Sequence, residues 1–208
     1  MMKRRQIGWS IGFCVLAFAG AGCPSADVGD GQNANDNGAT DNDNSSNDIG
    51  SSDNGSDGVE AGVEIVIPNE GAEHVPVGQQ VTYLANPPAS GSHWSEAGIA
   101  PVEAGLYETA LEEEQWVHNI EHGDVVILYD CHGPCQPALL DDLQGFFDST
   151  PPSELFGNIR LVIAPYAGLP FSFTAVAWDR QLHLETLDEA ALLDFYDRHV
   201  DQGPEQVP

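Results

Sequence analysis

The feature that most constrains the fold is an abrupt change in composition at Val59. Residues 24–58 consist almost wholly of Asp, Asn, Gly, Ser and Ala, with no aromatic residue and only two large aliphatic side chains. Such a segment cannot bury enough apolar surface to offset the entropy that its ordering would cost. We therefore predict a disordered tether over residues 23–58 and a single globular domain over residues 59–208.

The first residues have the pattern of an export signal. Three basic residues in the first five positions precede an apolar stretch over residues 7–20, and small residues stand directly before Cys23. This pattern is typical of a secretory signal peptide, and its end resembles a bacterial lipoprotein signal, although Gly20 stands where a large aliphatic residue is usual. We predict a signal peptide over residues 1–22, lipidation of Cys23 and a membrane-anchored protein outside the cytoplasm. The alternative is an uncleaved N-terminal anchor.

The charge balance excludes two classes of partner. The chain has 33 acidic and six basic residues, and from Cys23 onward only Arg160, Arg180 and Arg198 are basic. Nucleic-acid binding needs clustered Lys and Arg to neutralise phosphates, and an electrostatic membrane patch needs the same cluster. We therefore expect no nucleic-acid partner, and we expect membrane contact only through the N-terminal lipid.

The apolar pattern of the globular domain predicts an α+β or α/β fold with a single mixed sheet and two to three helices. Short apolar or alternating runs predict strands, while capping boxes and a first-turn proline predict helix starts. The strands are expected at residues 63–67, 81–84, 125–129, 159–163, 173–178 and 182–185, and the helices at residues 110–117, after Pro137 and after Thr186. The order strand, helix, strand, hairpin, helix also suits a thioredoxin-like C-terminal half.

Histidines carry the main chemical indication. His118 and His122 are four residues apart, so they would share one face of a helix that continues through them. Neutral imidazole is a ligand for zinc and copper, and His74 and His93 lie in loops that could reach the same ion. We predict one transition-metal site, for copper or zinc, with these four histidines as ligands. Glu121 is expected to orient a ligand from behind.

Two other interpretations of the histidines stay open. His118 to His122 spells His-x-x-Glu-His, the pattern of inverted zinc peptidases, in which the Glu acts as base toward metal-bound water. That fold needs a long active-site helix, whereas a strand is predicted to begin here at Val125, so our expectation is a protein that is not an enzyme. The histidines could instead be ordinary hydrogen-bonded residues. His183 alternates with two leucines and is expected to face solvent, and His199 is expected to be structural.

Cys131 and Cys135 give a second hypothesis. In an oxidising compartment two thiols four residues apart are expected to form a local disulfide. Their position between a predicted strand and a predicted helix also resembles the Cys-x-x-x-Cys segment of thioredoxin-like copper relay proteins. A helix N-terminus lowers the pKa of a nearby thiol and so favours the thiolate that such chemistry needs. A thiol or copper relay is therefore one alternative function, and a structural or adhesion module is another.

Most of residues 63–205 resembles domain of unknown function 3105. The likeness rests on segments at residues 86–94, 105–107, 117–123, 162–166, 175–178 and 203–205. The resemblance implies histidines at the positions of His74, His93, His118 and His122 and a glutamate at Glu121, in a secreted or membrane-tethered protein. Here Ala89 and Ser92 stand where the family usually has Thr and Pro. The resemblance supplies no reaction.

Overall fold

A computed structural model describes residues 60–207, so the predicted signal peptide, Cys23 and almost all of the tether lie outside the described residues. None of the helices in this part of the chain is both long and apolar enough to cross a membrane. Its strands are β1 (Glu64–Val66), β2 (His74–Val75), β3 (His93–Trp94), β4 (Gly105–Leu106), β5 (Val125–Tyr129), β6 (Leu161–Pro165), β7 (Phe173–Ala177) and β8 (Arg180–Leu184). Its helices are α1 (Glu113–Glu121), α2 (Pro137–Ser149) and α3 (Glu189–His199).

The predicted α+β architecture with a mixed sheet is confirmed. Six strands form one sheet in the order β1-β8-β7-β5-β6-β4, and β2 pairs with β3 in a separate two-stranded sheet. In the large sheet β6 is parallel to β4 and β5, whereas β7 is antiparallel to β5 and β8. Strand, helix, strand, hairpin and helix follow one another from β5 to α3, in the predicted order.

The central strand β5 is buried on both faces, which explains its uninterrupted apolar sequence. One face, with Val125 and Ile127, packs against Leu143 of α2 and Phe195 of α3. The opposite face, with Val126 and Leu128, packs against α1. The sheet therefore lies between α2 and α3 on one face and α1, with loop residues beside it, on the other.

Two predicted helix starts are wrong by a few residues. Helix α1 begins at Glu113, not near Ala110, because Glu112 is its N-cap and the Glu112 amide donates to the Gln115 side chain at 3.1 Å. Helix α3 likewise begins after Asp188, whose carboxylate accepts a hydrogen bond from the Ala191 amide at 3.1 Å. In both helices an acidic residue, and not the threonine that the sequence pattern favours, occupies the N-cap position.

The predicted strand at residues 81–84 does not form. Its amides bond to glutamate side chains: the Val81 amide donates to Glu114 at 2.7 Å, and the Leu84 amide donates to Glu70 at 2.8 Å. These carboxylates take the place of a neighbouring strand, so the segment is a loop that covers α1.

His183 does not face solvent as its alternation predicts. It is only 2% exposed, and its Nδ1 lies 3.0 Å from the hydroxyl oxygen of Thr174 on the neighbouring strand. Both faces of β8 are covered, since its residues from Gln181 to Leu184 are all buried, so alternation does not separate core from solvent there. His199 bonds the Glu64 carboxylate at 3.0 Å and so links α3 to β1.

Candidate metal centre

The small β2–β3 sheet brings the first two histidines together. His74 and His93 are direct partners in its parallel register, so their side chains emerge side by side. The amide of His93 donates to the carbonyl of Glu73 at 3.0 Å, which holds the two strands in this register. Two residues that are far apart in sequence therefore become neighbours through a short backbone pairing.

A tight turn before β3 positions His93. Gly91 has a φ of +123°, a conformation that L side chains rarely adopt, and a Cβ there would lie 2.8 Å from the Tyr83 ring. The Tyr83 hydroxyl donates to the carbonyl of Ser92 at 2.6 Å, and the Gly91 carbonyl accepts from Nδ1 of His93 at 2.8 Å. The turn therefore fixes both the backbone and the ring orientation of His93.

Replacing Gly91 with Ala is expected to lower the free energy of unfolding by about 1–3 kcal/mol, because the new Cβ meets Tyr83 in a strained backbone conformation. Gly145 is a matched control, since a Cβ there has no neighbour and α2 is helical at this position. Gly145→Ala is expected to raise the free energy of unfolding by about 0.5–1 kcal/mol. Chemical denaturation measures both, and equal effects would contradict the role of the turn.

Helix α1 supplies the other side of the centre. His118 and Glu121 are three residues apart near its C-terminal end, so both project toward the β2–β3 sheet. The ring of His118 is fixed by a hydrogen bond from its Nδ1 to the carbonyl of Trp94, at 2.7 Å. Glu121 is only 2% exposed, although its side chain ends in a carboxylate. Burial of a carboxylate at this position needs compensating partners.

Those partners are three imidazole rings. The ring centroids of His74, His93 and His118 form a nearly equilateral triangle with sides of 4.9, 5.1 and 4.9 Å. Oε2 of Glu121 lies 3.2 Å from Nε2 of His74, 2.8 Å from Nε2 of His93 and 4.0 Å from Nε2 of His118. One carboxylate oxygen thus faces three ring nitrogens from different parts of the chain.

The hydrogen bonds determine which ring nitrogens face inward as acceptors. A backbone carbonyl only accepts, so Nδ1 of His93 and Nδ1 of His118 each carry a proton. When these rings are neutral, each Nε2 therefore carries a lone pair and is an acceptor. Both Nε2 atoms point at the Glu121 carboxylate, whose oxygens are also acceptors when it is ionised. A short contact between two acceptors needs a shared proton or a cation. This arrangement of ring nitrogens, with carbonyls behind them, is the usual one around a protein-bound metal ion.

His118 is neutral at physiological pH. Burial and, to a smaller extent, the nearby rings of His122 and His93 lower the pKa of its imidazole to about 4. A neutral imidazole is the form that binds metal ions. The buried position of His118 therefore prepares its Nε2 as a ligand.

The separations among these groups match a small coordination sphere. Ligand atoms of a tetrahedral zinc ion with His and carboxylate ligands lie about 3.3–3.6 Å apart, given the usual bond lengths. The three contacts of Glu121 Oε2 span 2.8 to 4.0 Å, and all four ligand atoms lie within 4.8 Å of one another. The four residues, which we call the tri-histidine group, could hold a metal ion after small side-chain rotations. They are His74, His93, His118 and Glu121.

Two sequence-based assignments differ from this geometry. His122 does not join the tri-histidine group but clusters with Glu121 and Glu205. A helix turns about 100° per residue, so Glu121 and His122 project on opposite sides of His118, and only Glu121 faces the β2–β3 sheet. Glu121, which was expected behind the histidines, lies among their rings.

Glu205 is the residue that the sequence analysis missed. Its carboxylate Oε2 lies 3.7 Å from Nε2 of His122. The segment at residues 203–205 contributed to the family resemblance, and that was the one indication in the sequence of a role for this residue. No local pattern connects it to α1, because the contact joins residues more than 80 positions apart.

The cysteines lie elsewhere. Cys131 and Cys135 form a disulfide after the end of β5, next to a pocket lined by Phe173 and Leu187. Helix α1 precedes the start of β5, so the disulfide and the histidines lie at opposite ends of this strand. Within residues 60–207, neither group that could hold a metal ion includes a cysteine.

Comparison with known proteins gives one result. A family model described as "Protein of unknown function (DUF3105)" matches residues 74–208, a stretch that contains every residue of the tri-histidine group as well as His122 and Glu205. No curated protein and no solved structure matches the chain. Since the family model covers more than half of the sequence, the chain belongs to the DUF3105 family.

Proposed function

We propose that this protein binds a transition-metal ion, zinc or copper, through the tri-histidine group, and that it does so outside the cytoplasm while anchored to a membrane. The observation that carries the metal proposal is the convergence of three imidazole Nε2 atoms on one buried carboxylate oxygen. Three nitrogens and one carboxylate oxygen are a donor set for zinc or copper, whereas calcium and magnesium prefer oxygen ligands alone.

The arrangement favours binding over catalysis. A catalytic zinc ion keeps an open position beside three protein ligands, whereas a fourth protein ligand closes the sphere. Glu121 is that fourth ligand, so it does not act as a base toward metal-bound water. The His74 side chain is 44% exposed, which leaves one side of the group accessible for exchange of the ion with solvent.

Metal content tests the proposal directly. The full chain, purified in detergent and freed of chelator, is expected to retain zinc or copper, and His93→Ala/His118→Ala is expected to lose the ion held by the tri-histidine group, because two ligands are removed. His132→Ala is the matched control, since the side chain of His132 is 61% exposed and lies outside both metal-compatible groups. Elemental analysis after dialysis gives the measurement. Equal metal content in the double variant and the control would refute the proposal.

The location is supported by the sequence of the first 23 residues alone. Cys23→Ser is expected to abolish incorporation of labelled fatty acid and to move the protein from the membrane pellet to the soluble fraction. Cys14→Ser is the matched control, because Cys14 lies within the predicted signal peptide and is not the lipidated residue. Retention of the Cys23→Ser variant in the membrane would favour the uncleaved anchor instead.

A further inference from the structure

We propose that Glu121 bridges two metal ions, the second of which is held by His122 and Glu205. This inference rests on the proposed function, because it adds a second ion to the tri-histidine group. Ligand atoms of Glu121, His122 and Glu205 lie within 4.8 Å of one another, the same limit that the tri-histidine group meets. Glu121 belongs to both groups.

The two oxygens of Glu121 permit this sharing. The short contacts of His74 Nε2 and His93 Nε2 both involve Oε2. No hydrogen bond within residues 60–207 involves Oε1, although the side chain of Glu121 is only 3% exposed. The Oε1 atom is therefore free to bind a second cation while Oε2 faces the imidazoles, as in a carboxylate that bridges two metal ions.

His122 is held at the boundary between the two groups. It caps the C-terminal end of α1, where its amide donates to the carbonyl of His118 at 3.2 Å. Its ring centroid lies 4.5 Å from that of His118, and its side chain is only 14% exposed. His122 therefore lies between the tri-histidine group and the Glu205 carboxylate.

The backbone places Glu205 beside His122. The C-terminal segment, residues 201–207, crosses the end of α1: the Asp201 amide donates to the Gly123 carbonyl at 2.8 Å, and the Glu205 amide donates to the Glu121 carbonyl at 3.0 Å. Gly203 approaches the Glu121 carbonyl so closely that any side chain there would collide with it. The backbone of Glu205 is therefore fixed beside the end of α1, within reach of His122, while its side chain is half exposed.

Within residues 60–207, no arginine forms an ion pair with Glu121 or Glu205. Arg160 donates to the His122 carbonyl at 2.7 Å, but its guanidinium is already paired with the Asp124 carboxylate, also at 2.7 Å. The guanidinium therefore does not neutralise the carboxylates of Glu121 and Glu205, which are left for an added cation together with the His122 ring. Shared carboxylates are a common feature of sites in which two metal ions lie about 3.5–4 Å apart.

Zinc stoichiometry tests the bridge. The metal-stripped full chain, dialysed against Zn²⁺ alone, is expected to bind two equivalents. Each of His122→Ala and Glu205→Gln is expected to weaken the second equivalent about tenfold or more and to leave the first. Glu205→Gln keeps the backbone hydrogen bond of Glu205, so it preserves the fold if His122→Ala does not. Glu185→Gln is the matched control, because Glu185 is an exposed residue directly after the end of β8 and its loss should leave both equivalents.

The outcomes separate this inference from the proposed function. One equivalent in the wild type, unchanged in both variants, would overturn the bridge and leave the tri-histidine site standing. No bound zinc would overturn both. Two equivalents in all variants would place the second ion on another acidic surface and would also overturn the bridge.

Copper loading supplies a readout of proximity. Two Cu²⁺ ions that share Glu121 are close enough to couple magnetically, so the paramagnetic resonance signal is expected to integrate to fewer than two spins or to show strong dipolar broadening. The Glu205→Gln variant is expected to show the unbroadened signal of a single ion. Two independent, additive signals in the wild type would contradict a shared ligand.

Discussion

Arg160→Ala is expected to lower the free energy of unfolding by about 3–5 kcal/mol, because it leaves buried negative charge without a partner. Arg160 is 2% exposed, and its Nε donates to Asp124 at 2.7 Å and lies 3.5 Å from Asp201. Burial already raises the pKa of the Asp124 carboxyl even with the guanidinium present. The same guanidinium donates to the carbonyls of His122 and Val207, at 2.7 and 2.9 Å. Its loss also frees the C-terminal segment from the end of α1.

Arg198→Ala is the matched control for this prediction. Arg198 also pairs with two carboxylates, those of Glu64 and Asp194, but its side chain is 45% exposed. Exposed pairs of this kind contribute at most about 1 kcal/mol, so the control is expected to change stability little. Urea denaturation followed by circular dichroism compares the two variants. A loss below about 1 kcal/mol for Arg160→Ala would show that the buried ion pairs are dispensable.

Zinc is expected to raise the free energy of unfolding by about 4 kcal/mol when free Zn²⁺ exceeds the dissociation constant of the tri-histidine group about 1,000-fold. The reason is mass action: the ion binds the folded chain, in which His74, His93 and His118 converge, far better than the unfolded chain, in which they are separate. A titration of unfolding midpoint against free zinc measures the effect. The slope of this titration reports the affinity independently of elemental analysis.

The specificity of this stabilisation depends on the ligands. His93→Ala/His118→Ala is expected to remove the stabilisation due to the tri-histidine group, while His132→Ala keeps the full effect. Chelator added in excess should return the wild type to its metal-free midpoint. An equal zinc response in the double variant and in the control would mean that zinc acts on the acidic surface and not on the tri-histidine group.

Local sequence patterns correctly predicted the helices and strands that are determined by residues close to one another in the chain. The run Val125–Tyr129 became the central strand β5 with those bounds, since an apolar run of strand length between polar segments needs burial on both faces. Pro137 became the first residue of α2, as its fixed φ and missing amide favour. The hairpin of β7 and β8 also formed as predicted.

Patterns failed where a distant group supplied the decisive contact. Residues 81–84 have the composition of a strand, but the carboxylates of Glu70 and Glu114 accept hydrogen bonds from their amides. The sequence of residues 81–84 gives no indication of these distant partners. His183 lies in an alternating run that predicts a solvent-facing ring, yet the sheet is covered on both faces at β8. Alternation indicates which residues share a face, and it does not indicate whether that face is covered.

The histidines depend on both local sequence and distant contacts. Sequence alone indicated the family resemblance, the four-residue spacing of His118 and His122 on one helix, and His74 and His93 as further candidate ligands, because residue type and helical spacing are local properties. Only the tertiary structure decided that Glu121 lies among the rings, that His122 turns away toward Glu205, and which nitrogen of each ring faces inward. These depend on the β2–β3 register and on the crossing of the C-terminal segment over α1, both of which are contacts between residues far apart in the chain.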